Sequence, residues 1–406
     1  MAFFRPYVAC AIGVTAAAVL AGCRGGTPGP LPNAVPQSVS REQPRVPQGR
    51  LGVLLTTKDG GQIFGFDINQ NGSDGAFATS KTTNKPGVFT VSMDTFDQDT
   101  GAITNTFAGA TGSVNSYAFN GILAGDVGFV THFYVPKGQI FAKHFYDVMN
   151  PVTSGTFTGK WTPPALNLNV QQTARNQSTA ENVVMAGDPK TGNPELVVTD
   201  IAANKIQKVI PLDPNLFVGG NGPILAQDPA ANKAVIVLSP DGGAVRQPPI
   251  PTQTVLIDLA TGKNTLFSGF NNGPFGPGYP NGNAVDSTTH VEATTTELNA
   301  QVEFYDLTKQ TGIAAAQLPC TSNQSQTLSG AGIAADSINH LFLVSVPSYG
   351  CSSGSAILVY NEKGTLVETI TGFTFFLAEP PAAINPSKRM GWAFGPGPDQ
   401  LQQFFY

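Results

Sequence analysis

The sequence predicts an all-β fold built from repeated modules of four short antiparallel strands. Two features of the composition favour this class: the 406 residues include 45 glycines and 32 prolines, and only 12% of residues are charged. Gly and Pro interrupt helices and form tight turns, so many short strands fit this chain better than long helices do. The third observation is an internal repeat, which sets the size of the module.

The repeat consists of a short apolar strand that ends in Asp followed by Pro or Ser. Asp accepts hydrogen bonds from the amides of a turn and Pro presets φ, so each copy predicts a strand that ends at a turn. The clear copies are Val183–Pro189, Ile224–Pro229, Asn283–Ser287 and Ile333–Ser337, with weaker copies at Ala383–Pro386 and Ile122–Asp126. Asp188, Asp228, Asp286 and Asp336 are therefore interpreted as turn caps between the first and second strands of a module.

Each clear copy precedes a second strand, and third and fourth strands follow in most modules. The second strands are Glu195–Thr199, Ala234–Leu238, His290–Thr294 and Leu341–Val346. Four-stranded sheets repeated at about this spacing are typical of a β-propeller, in which sheets pack face to face around an axis. A pair of β-sandwiches or an irregular β domain is the alternative.

The number of modules depends on how the chain begins and ends. The six copies and a module over Leu51–Phe107, with strands near 51–57, 61–68, 87–95 and 101–107, favour seven. Six remains open if the two chain ends share one sheet. Leu401–Tyr406 is an apolar strand, and we expect it to help close the ring.

One segment resembles a known class of propeller repeat. Glu195–Leu212 contains Val197-Val198-Thr199-Asp200 and Lys205-Ile206-Gln207-Lys208-Val209-Ile210, and this run is similar to the YVTN and NHL repeats. The resemblance extends over residues 180–372. It implies a propeller fold and specifies no activity.

The N-terminus has the parts of a secretory signal. Arg5 supplies positive charge, Tyr7–Leu20 is apolar, and the segment ends in Leu20-Ala21-Gly22-Cys23, which resembles a bacterial lipobox. The resemblance implies cleavage after residue 22 and lipid on Cys23. Arg24 follows, and by resemblance to Gram-negative lipoproteins the lack of Asp there favours the outer membrane. Plain secretion and an uncleaved anchor are the alternatives.

The sequence predicts that residues 23–50 form a disordered linker and that residues 51–406 form the propeller. Six prolines lie between residues 24 and 50, with too few apolar side chains to offset the entropy of ordering. Beyond Cys10 in the signal and the lipidated Cys23, two cysteines remain. Cys320 and Cys351 are predicted to lie at one face of one module and to form a disulfide in an oxidising compartment. Two buried free thiols are the alternative.

That face also carries the long loops, predicted at Leu166–Ala180, Asp241–Gln253, Ser268–Asn281 and Pro319–Ser329. The aromatic residues Phe270, Phe275, Tyr279 and Tyr349 lie in or near them, among Gly, Pro and Asn. Such rings either bind a protein or glycan partner or pack the loops onto the body of the fold.

Few residues predict chemistry. Asp67, Asn69 and Asn71 are spaced like the start of a calcium loop, but Ala78 stands where the bidentate Glu belongs, so an ordinary turn also explains them and no cofactor is predicted. His132, His144, His290 and His340 form no metal-spaced pair. His290 and Glu292 alternate on a predicted strand, and we expect their side chains on the same side.

The function predicted from these features is binding of a protein or glycan by an envelope-anchored propeller. The net charge is −5 and no basic cluster appears, which argues against nucleic-acid binding. The alternative is a propeller enzyme, lactonase-like or another metal-dependent hydrolase, with its site in the central channel. Such sites use scattered inner-strand residues and leave little trace in a sequence.

Overall fold

The structure, a computed structural model, describes about three fifths of the chain. The described residues are 49–82, 89–108, 116–123, 127–134, 143–149, 152–154, 157–161, 172–175, 181–188, 191, 193–200, 203, 205–217, 224–238, 253–268, 280–296, 301–319, 332–346, 354–374 and 383–406. Cys23, the predicted signal and the predicted linker up to residue 48 lie outside these residues. Arg50, the last residue of the predicted linker, is the first residue of strand Arg50–Thr56.

The described strands form seven four-stranded antiparallel sheets. Sheet 1 contains β2 (Gln62–Ile68), β3 (Asp74–Thr82), β4 (Phe89–Asp97) and β5 (Ile103–Ala108). Sheet 2 contains β6 (Ser116–Leu123), β7 (Val127–Tyr134), β8 (Lys143–Met149) and β9 (Phe157–Trp161). Sheet 3 contains β10 (Gln172–Arg175), β11 (Glu181–Gly187), β12 (Pro194–Asp200) and β13 (Lys205–Pro211).

The remaining sheets continue this order along the chain. Sheet 4 contains β14 (Ile224–Asp228), β15 (Lys233–Leu238), β16 (Gln253–Asp258) and β17 (Asn264–Ser268). Sheet 5 contains β18 (Pro280–Asp286), β19 (Val291–Thr296), β20 (Gln301–Asp306) and β21 (Thr311–Gln317). Sheet 6 contains β22 (Ile333–Asp336), β23 (Leu341–Val346), β24 (Ala356–Asn361) and β25 (Leu366–Thr371).

Sheet 7 joins the two ends of the chain. It contains β26 (Ala383–Asn385), β27 (Met390–Phe394), β28 (Gln400–Phe405) and β1 (Arg50–Thr56). Arg50 pairs with Phe405 and Thr56 with Gln400, so the first described strand is hydrogen-bonded to the last. Short 3-10 helices cover Val152–Ser154, Pro214–Phe217 and Pro386–Lys388. The expectation that Leu401–Tyr406 helps to close the ring is confirmed.

The predicted module over Leu51–Phe107 is wrong in its composition. Its first strand belongs to sheet 7, and β3 was missed. The sequence could not show this, because the partner of β1 lies about 350 residues away and the start of β3 was interpreted as part of a calcium-like loop. Sheet 1 still has four strands, since β3 takes the place of β1.

The predicted phase of sheet 3 is also wrong. Asp188 follows β11, which is the second strand of its sheet, because β10 precedes it. The segment Gln172–Arg175 has a single apolar residue and gave no strand signal. Part of the loop predicted over Leu166–Ala180 is therefore a strand. Asp188 follows a second strand, whereas Asp228, Asp286 and Asp336 end the first strands of their own sheets, so Asp188 lies at the other end of the sheets from these three residues.

Apolar clusters fill the spaces between consecutive sheets. One cluster joins sheets 5 and 6 through Phe304, Phe342 and Tyr360, and the ring centroids of Phe304 and Phe342 are 5.6 Å apart. A second joins sheets 7 and 1, where Trp392 contacts Phe96 edge-to-face at 5.1 Å. Further clusters lie between sheets 1 and 2, 3 and 4, 4 and 5, and 6 and 7. Burial of these alternate strand residues holds the sheets face to face.

Within the described part of the chain, no helix has the length and apolar character needed to cross a bilayer.

Replacing Phe304 with Ala tests the packing of sheets 5 and 6. Phe304 is fully buried, so the change should lower the free energy of unfolding by about 3–5 kcal/mol in urea titrations. Ile313→Ala is the matched control in the same sheet, because Ile313 is 39% exposed and should cost less than about 1 kcal/mol. Equal losses for the two variants would contradict this arrangement of the core.

Candidate functional site

The two ends of the sheets differ in the length of their connections. From sheet 4 to sheet 7, the connection after each first strand contains four residues, and those between third and fourth strands of sheets 4 to 6 contain four or five. At the other end, connections such as 239–252, 269–279 and 318–332 contain more than ten residues, although 297–300 is short. We call these the turn end and the loop end.

At the turn end a five-residue segment recurs with the same backbone. It starts with the last residue of the first strand and ends with a residue of left-handed conformation just before the second strand. The four copies are Asp228–Asn232, Asp286–His290, Asp336–His340 and Asn385–Arg389, whose last residues have φ of 53°, 57°, 55° and 48°. Left-handed φ is uncommon outside glycine, so its recurrence at one position identifies one type of turn.

The first residue of each segment caps its own turn. Asp286 Oδ1 accepts from the amides of Thr288 and Thr289 at 2.9 and 3.4 Å. Asp336 Oδ1 accepts from the amides of Ile338 and Asn339 at 3.0 and 2.9 Å. These carboxyl groups are fully buried, so the turn amides supply hydrogen bonds that water cannot.

The second oxygen of the same carboxyl group binds the next sheet. His290 Nδ1 lies 2.7 Å from Asp228 Oδ2, and His340 Nδ1 lies 2.9 Å from Asp286 Oδ2. A carboxylate oxygen can only accept, so Nδ1 of each histidine is the donor in these two bonds. We call a hydrogen bond between such a buried carboxyl or amide group and the next sheet an inter-sheet latch.

Latches of different chemistry continue around sheets 6, 7 and 1. The Tyr406 hydroxyl donates to Asp336 Oδ2 at 3.0 Å, and burial together with this carboxylate raises the pKa of Tyr406. Asn385 Nδ2 donates to Gln98 Oε1 at 3.0 Å in sheet 1. Asp67 Oδ2 in turn accepts from the amide of Ile122 in sheet 2 at 2.9 Å. Five consecutive interfaces, from sheets 4 and 5 round to sheets 1 and 2, therefore carry such a bond.

The histidines of two latches expose part of their rings. The side chain of His290 is 35% exposed and that of His340 is 40% exposed, while their carboxylate partners are fully buried. A His–Asp pair of this kind also occurs in acid–base catalysis. Here both oxygens of each carboxylate are occupied by turn and latch bonds, so fold stabilisation accounts for the pair.

The structure corrects one part of the prediction for His290 and Glu292. His290 lies in the turn before β19, with a left-handed backbone, and is not part of the strand. Its side chain reaches Asp228 of sheet 4, and the fully buried Glu292 of β19 lies on the face of sheet 5 opposite to Val291 and Ala293, so both side chains lie on the side of sheet 4. The interpretation of Asp228, Asp286 and Asp336 as turn caps is confirmed. For Asp188 the location is wrong, although its Oδ1 also caps a turn by accepting from the Thr191 amide.

Two side-chain oxygen atoms of the calcium-like segment accept hydrogen bonds from backbone amides. Asp67 is buried and forms the latch to Ile122, and Asn69 Oδ1 accepts from the Asn71 amide at 3.0 Å. Among the described residues, no group of three or more His, Cys, Asp or Glu side chains could hold a metal. Calcium binding by Asp67, Asn69 and Asn71 stays a prediction.

The other predicted site residues lie outside the described residues. These are Cys23, Cys320, Cys351, Phe270, Phe275, Tyr279 and Tyr349. His132 and His144 lie in β7 and β8, but their side chains are also outside the described part. By chain position, residues 270–279 lie in the β17–β18 connection and Cys320 in the β21–β22 connection, both at the loop end.

Sequence reasoning missed the latch residues Tyr406 and Gln98. A signal was present for the histidines, because Asp or Asn at the end of the first strand and a residue of type Asn, His or Arg recur four positions apart in sheets 4 to 7. No comparable signal marks Tyr406 or Gln98, since each binds a residue far away in the chain.

No protein-family model matches the chain, and no curated protein sequence matches it. Among solved structures, the chain is similar to the Cps50 (Swd1) β-propeller domain of Myceliophteria thermophila, with 10% identity and a TM-score of 0.53 over 88% of this chain and 99% of that one. It is also similar to the RRP9 WD40 repeats, with 11% identity and a TM-score of 0.53 over 89% of this chain and 98% of that one. At such identities the likeness shows the fold alone.

The chain therefore has a WD40-like β-propeller fold. The sequence-based prediction of an all-β propeller with four-stranded sheets is confirmed.

Substitution of Asp286 tests the latch separately from the cap. Asp286→Ala removes the turn cap and the bond to His340, and should lower the free energy of unfolding by about 2–4 kcal/mol in urea titrations. Asp306→Ala is the matched control. Asp306 caps only its own turn, by accepting from the amides of Thr308 and Lys309. That cap should contribute about 1 kcal/mol. If both variants lose the same stability, the latch contributes nothing.

Proposed function

We propose that this protein is a bacterial envelope lipoprotein whose propeller binds a protein partner at the loop end. The single observation that carries the proposal is the difference between the two ends of the sheets. Turn-end connections are short, capped and latched, whereas loop-end connections are long and variable in length. In repeat folds, insertions of variable length collect on one face, which is often the binding face.

The fold supports a binding role in a second way. WD40-like propeller scaffolds commonly mediate protein interactions. The aromatic residues Phe270, Phe275, Tyr279 and Tyr349 lie in loop-end connections by chain position, and aromatic side chains supply most of the energy at many interfaces. A glycan partner would use the same rings by stacking. The resemblance of residues 180–372 to YVTN and NHL repeats is part of this proposal.

The anchor restricts where the propeller acts. Lipid on Cys23 and a Pro-rich linker over residues 23–50 would hold the domain near a membrane, with the outer membrane favoured, and leave its orientation free. The described part begins at Gly49, beside β1, which is the outer strand of sheet 7.

Photo-crosslinking in cells tests the binding face. A photoreactive amino acid at position 275, 279 or 349 of the full chain should give a discrete adduct with one protein. Positions 338 and 363 at the turn end are the matched controls, because Ile338 and Lys363 are exposed and should give none. Adducts confined to the turn end, or none at any position, would contradict a protein partner at the loop end. A glycan partner would instead appear as array binding lost in Phe275→Ala and Tyr279→Ala.

Replacing Cys23 tests the anchor. The thiol of Cys23 is the only group that the lipobox resemblance assigns to lipid, so Cys23→Ser should abolish incorporation of labelled palmitate and release the protein from membranes. Cys10→Ser is the matched control, since Cys10 lies in the predicted signal and should leave labelling unchanged. Label retained in Cys23→Ser would contradict the assignment.

A disulfide between Cys320 and Cys351 is a separate prediction for the loop end. Mass spectrometry of digests prepared without reductant should give the two cysteine peptides as one linked species, lighter by two hydrogens than their sum. Treatment with reductant should separate them. Free, alkylatable thiols in protein purified from the envelope would contradict the bridge.

A further inference from the structure

The interface between sheets 4 and 5 differs chemically from its neighbours. The second strands of sheets 4, 5 and 6 begin after equivalent left-handed residues, so their side chains can be compared position by position. In sheets 4 and 6 the residues that face the preceding sheet are Ala234, Ile236 and Leu238, and Phe342, Val344 and Val346. In sheet 5 the equivalent residues are Glu292, Thr294 and Thr296, all buried.

The third strand of sheet 5 adds a second carboxyl group to the same face. Glu303 and Tyr305 alternate with Val302 and Phe304, which pack against sheet 6. Tyr305 lies directly opposite Glu292 in the sheet, and Thr294 lies opposite Glu303. We call Glu292, Thr294, Thr296, Glu303 and Tyr305 the acidic seam.

Hydrogen bonds within sheet 5 satisfy part of the acidic seam. Thr294 Oγ1 donates to Glu292 Oε1 at 2.8 Å, and the Tyr305 hydroxyl donates to Glu303 Oε2. The Asn283 side chain also donates to Glu292 and to the carbonyl of Val235 across the interface. Glu292 Oε2 and Thr296 Oγ1 are buried and have no hydrogen-bond partner among the described residues.

Sheet 4 presents mainly apolar side chains to the acidic seam. Ala226, Val235 and Leu256 form the apolar cluster of this interface, and Phe267 packs against the ring of Tyr305 at 6.1 Å. Among the described residues of sheet 4, the titratable groups on this side are Asp228, Lys233 and Asp258, which lie at the turn end, where His290 of sheet 5 binds Asp228. Within the seam itself, the group whose charge acts on Glu292 is Glu303, and it is of the same sign.

This environment disfavours a charge on Glu292. Burial is the larger cause and the negative charge of Glu303 adds to it, and together they raise the pKa of Glu292 to about 7 despite the bonds from Thr294 and Asn283. A neutral carboxyl group at this position can also donate a hydrogen bond, which an ionised one cannot.

We propose that the contact between sheets 4 and 5 is proton-responsive: it packs closely while the Glu292 carboxyl group carries a proton and loosens when that group ionises. An ionised Glu292 would lie buried beside a second carboxyl group and against apolar side chains, so opening of the interface to water relieves the cost. The seam therefore makes the cohesion of one interface depend on pH near neutrality.

The direction of the pH dependence follows from the raised pKa. Below pH 4.5, the ordinary value for Glu, the folded and unfolded chains both carry the proton and the stabilisation is fully present. As the pH rises towards about 7, the unfolded chain ionises first, so Glu292 favours unfolding progressively. Its contribution is lost by about pH 7 and the curve then flattens.

Urea titration of the full chain from pH 5 to pH 8 tests the proposal with Glu292→Gln. The glutamine has the shape of the protonated acid and can still accept from Thr294, so it should fold. The unfolding constant of the parent protein should rise between pH 5 and pH 8 by on the order of a hundredfold more than that of Glu292→Gln. Glu362→Gln, in the β24–β25 turn, is the matched control and should follow the parent protein.

Two further measurements locate the effect. Hydrogen exchange should be faster in the parent protein than in Glu292→Gln at pH 8, in peptides covering residues 224–238 and 280–306, and equal at pH 5. Infrared difference spectra should show a protonated carboxyl band in the parent protein at pH 5 that is absent from Glu292→Gln. Parallel pH profiles for the two proteins, or extra exchange spread evenly over all sheets, would overturn the proposal.

Discussion

In sheets 4 to 7 the structure depends on one buried polar group per sheet that caps a turn and binds the next sheet. Asp286 shows the principle: its two oxygens accept from the amides of its own turn and from His340 of the following sheet. Since one side chain makes both contacts, the geometry of the turn fixes the position of the neighbouring sheet. Apolar packing has no direction of its own, so it cannot supply this registration.

This constraint is a physical reason for the different lengths of the connections at the two ends of the sheets. A change of length at the turn end would displace a capping group from both of its partners and leave a buried carboxylate unsatisfied. A change of length at the loop end disturbs none of these latches. The long connections accordingly lie at the loop end, which is the end better suited to vary its contacts.

The repeat could be predicted from sequence where the capping residue and its turn are adjacent in the chain. It could not be predicted where the partner residues are far apart in the chain. Asp228, Asp286 and Asp336 each end an apolar strand and are followed at once by their turn, so a short window contains the signal. Asp188 shows the limit: its local pattern is the same, but the phase within the sheet depends on β10, whose residues carry no apolar alternation. The pairing of β1 with β28 is likewise invisible locally, because strand partners at opposite ends of a chain share no sequence pattern.

The acidic seam is a departure of sheet 5 from the pattern of sheets 4 and 6. Sheets 4 and 6 meet the preceding sheet through aliphatic and aromatic residues, and the same backbone in sheet 5 would accept them. Replacement of buried ionisable groups by apolar ones of similar volume is often neutral or stabilising, so stability does not account for Glu292 and Glu303. What the pair adds is a dependence of packing on protonation, in an interface that the Asp228–His290 latch holds at its turn end. An interface fixed at one end and weakened in the middle by ionisation opens towards its other end, which for sheets 4 and 5 is the loop end.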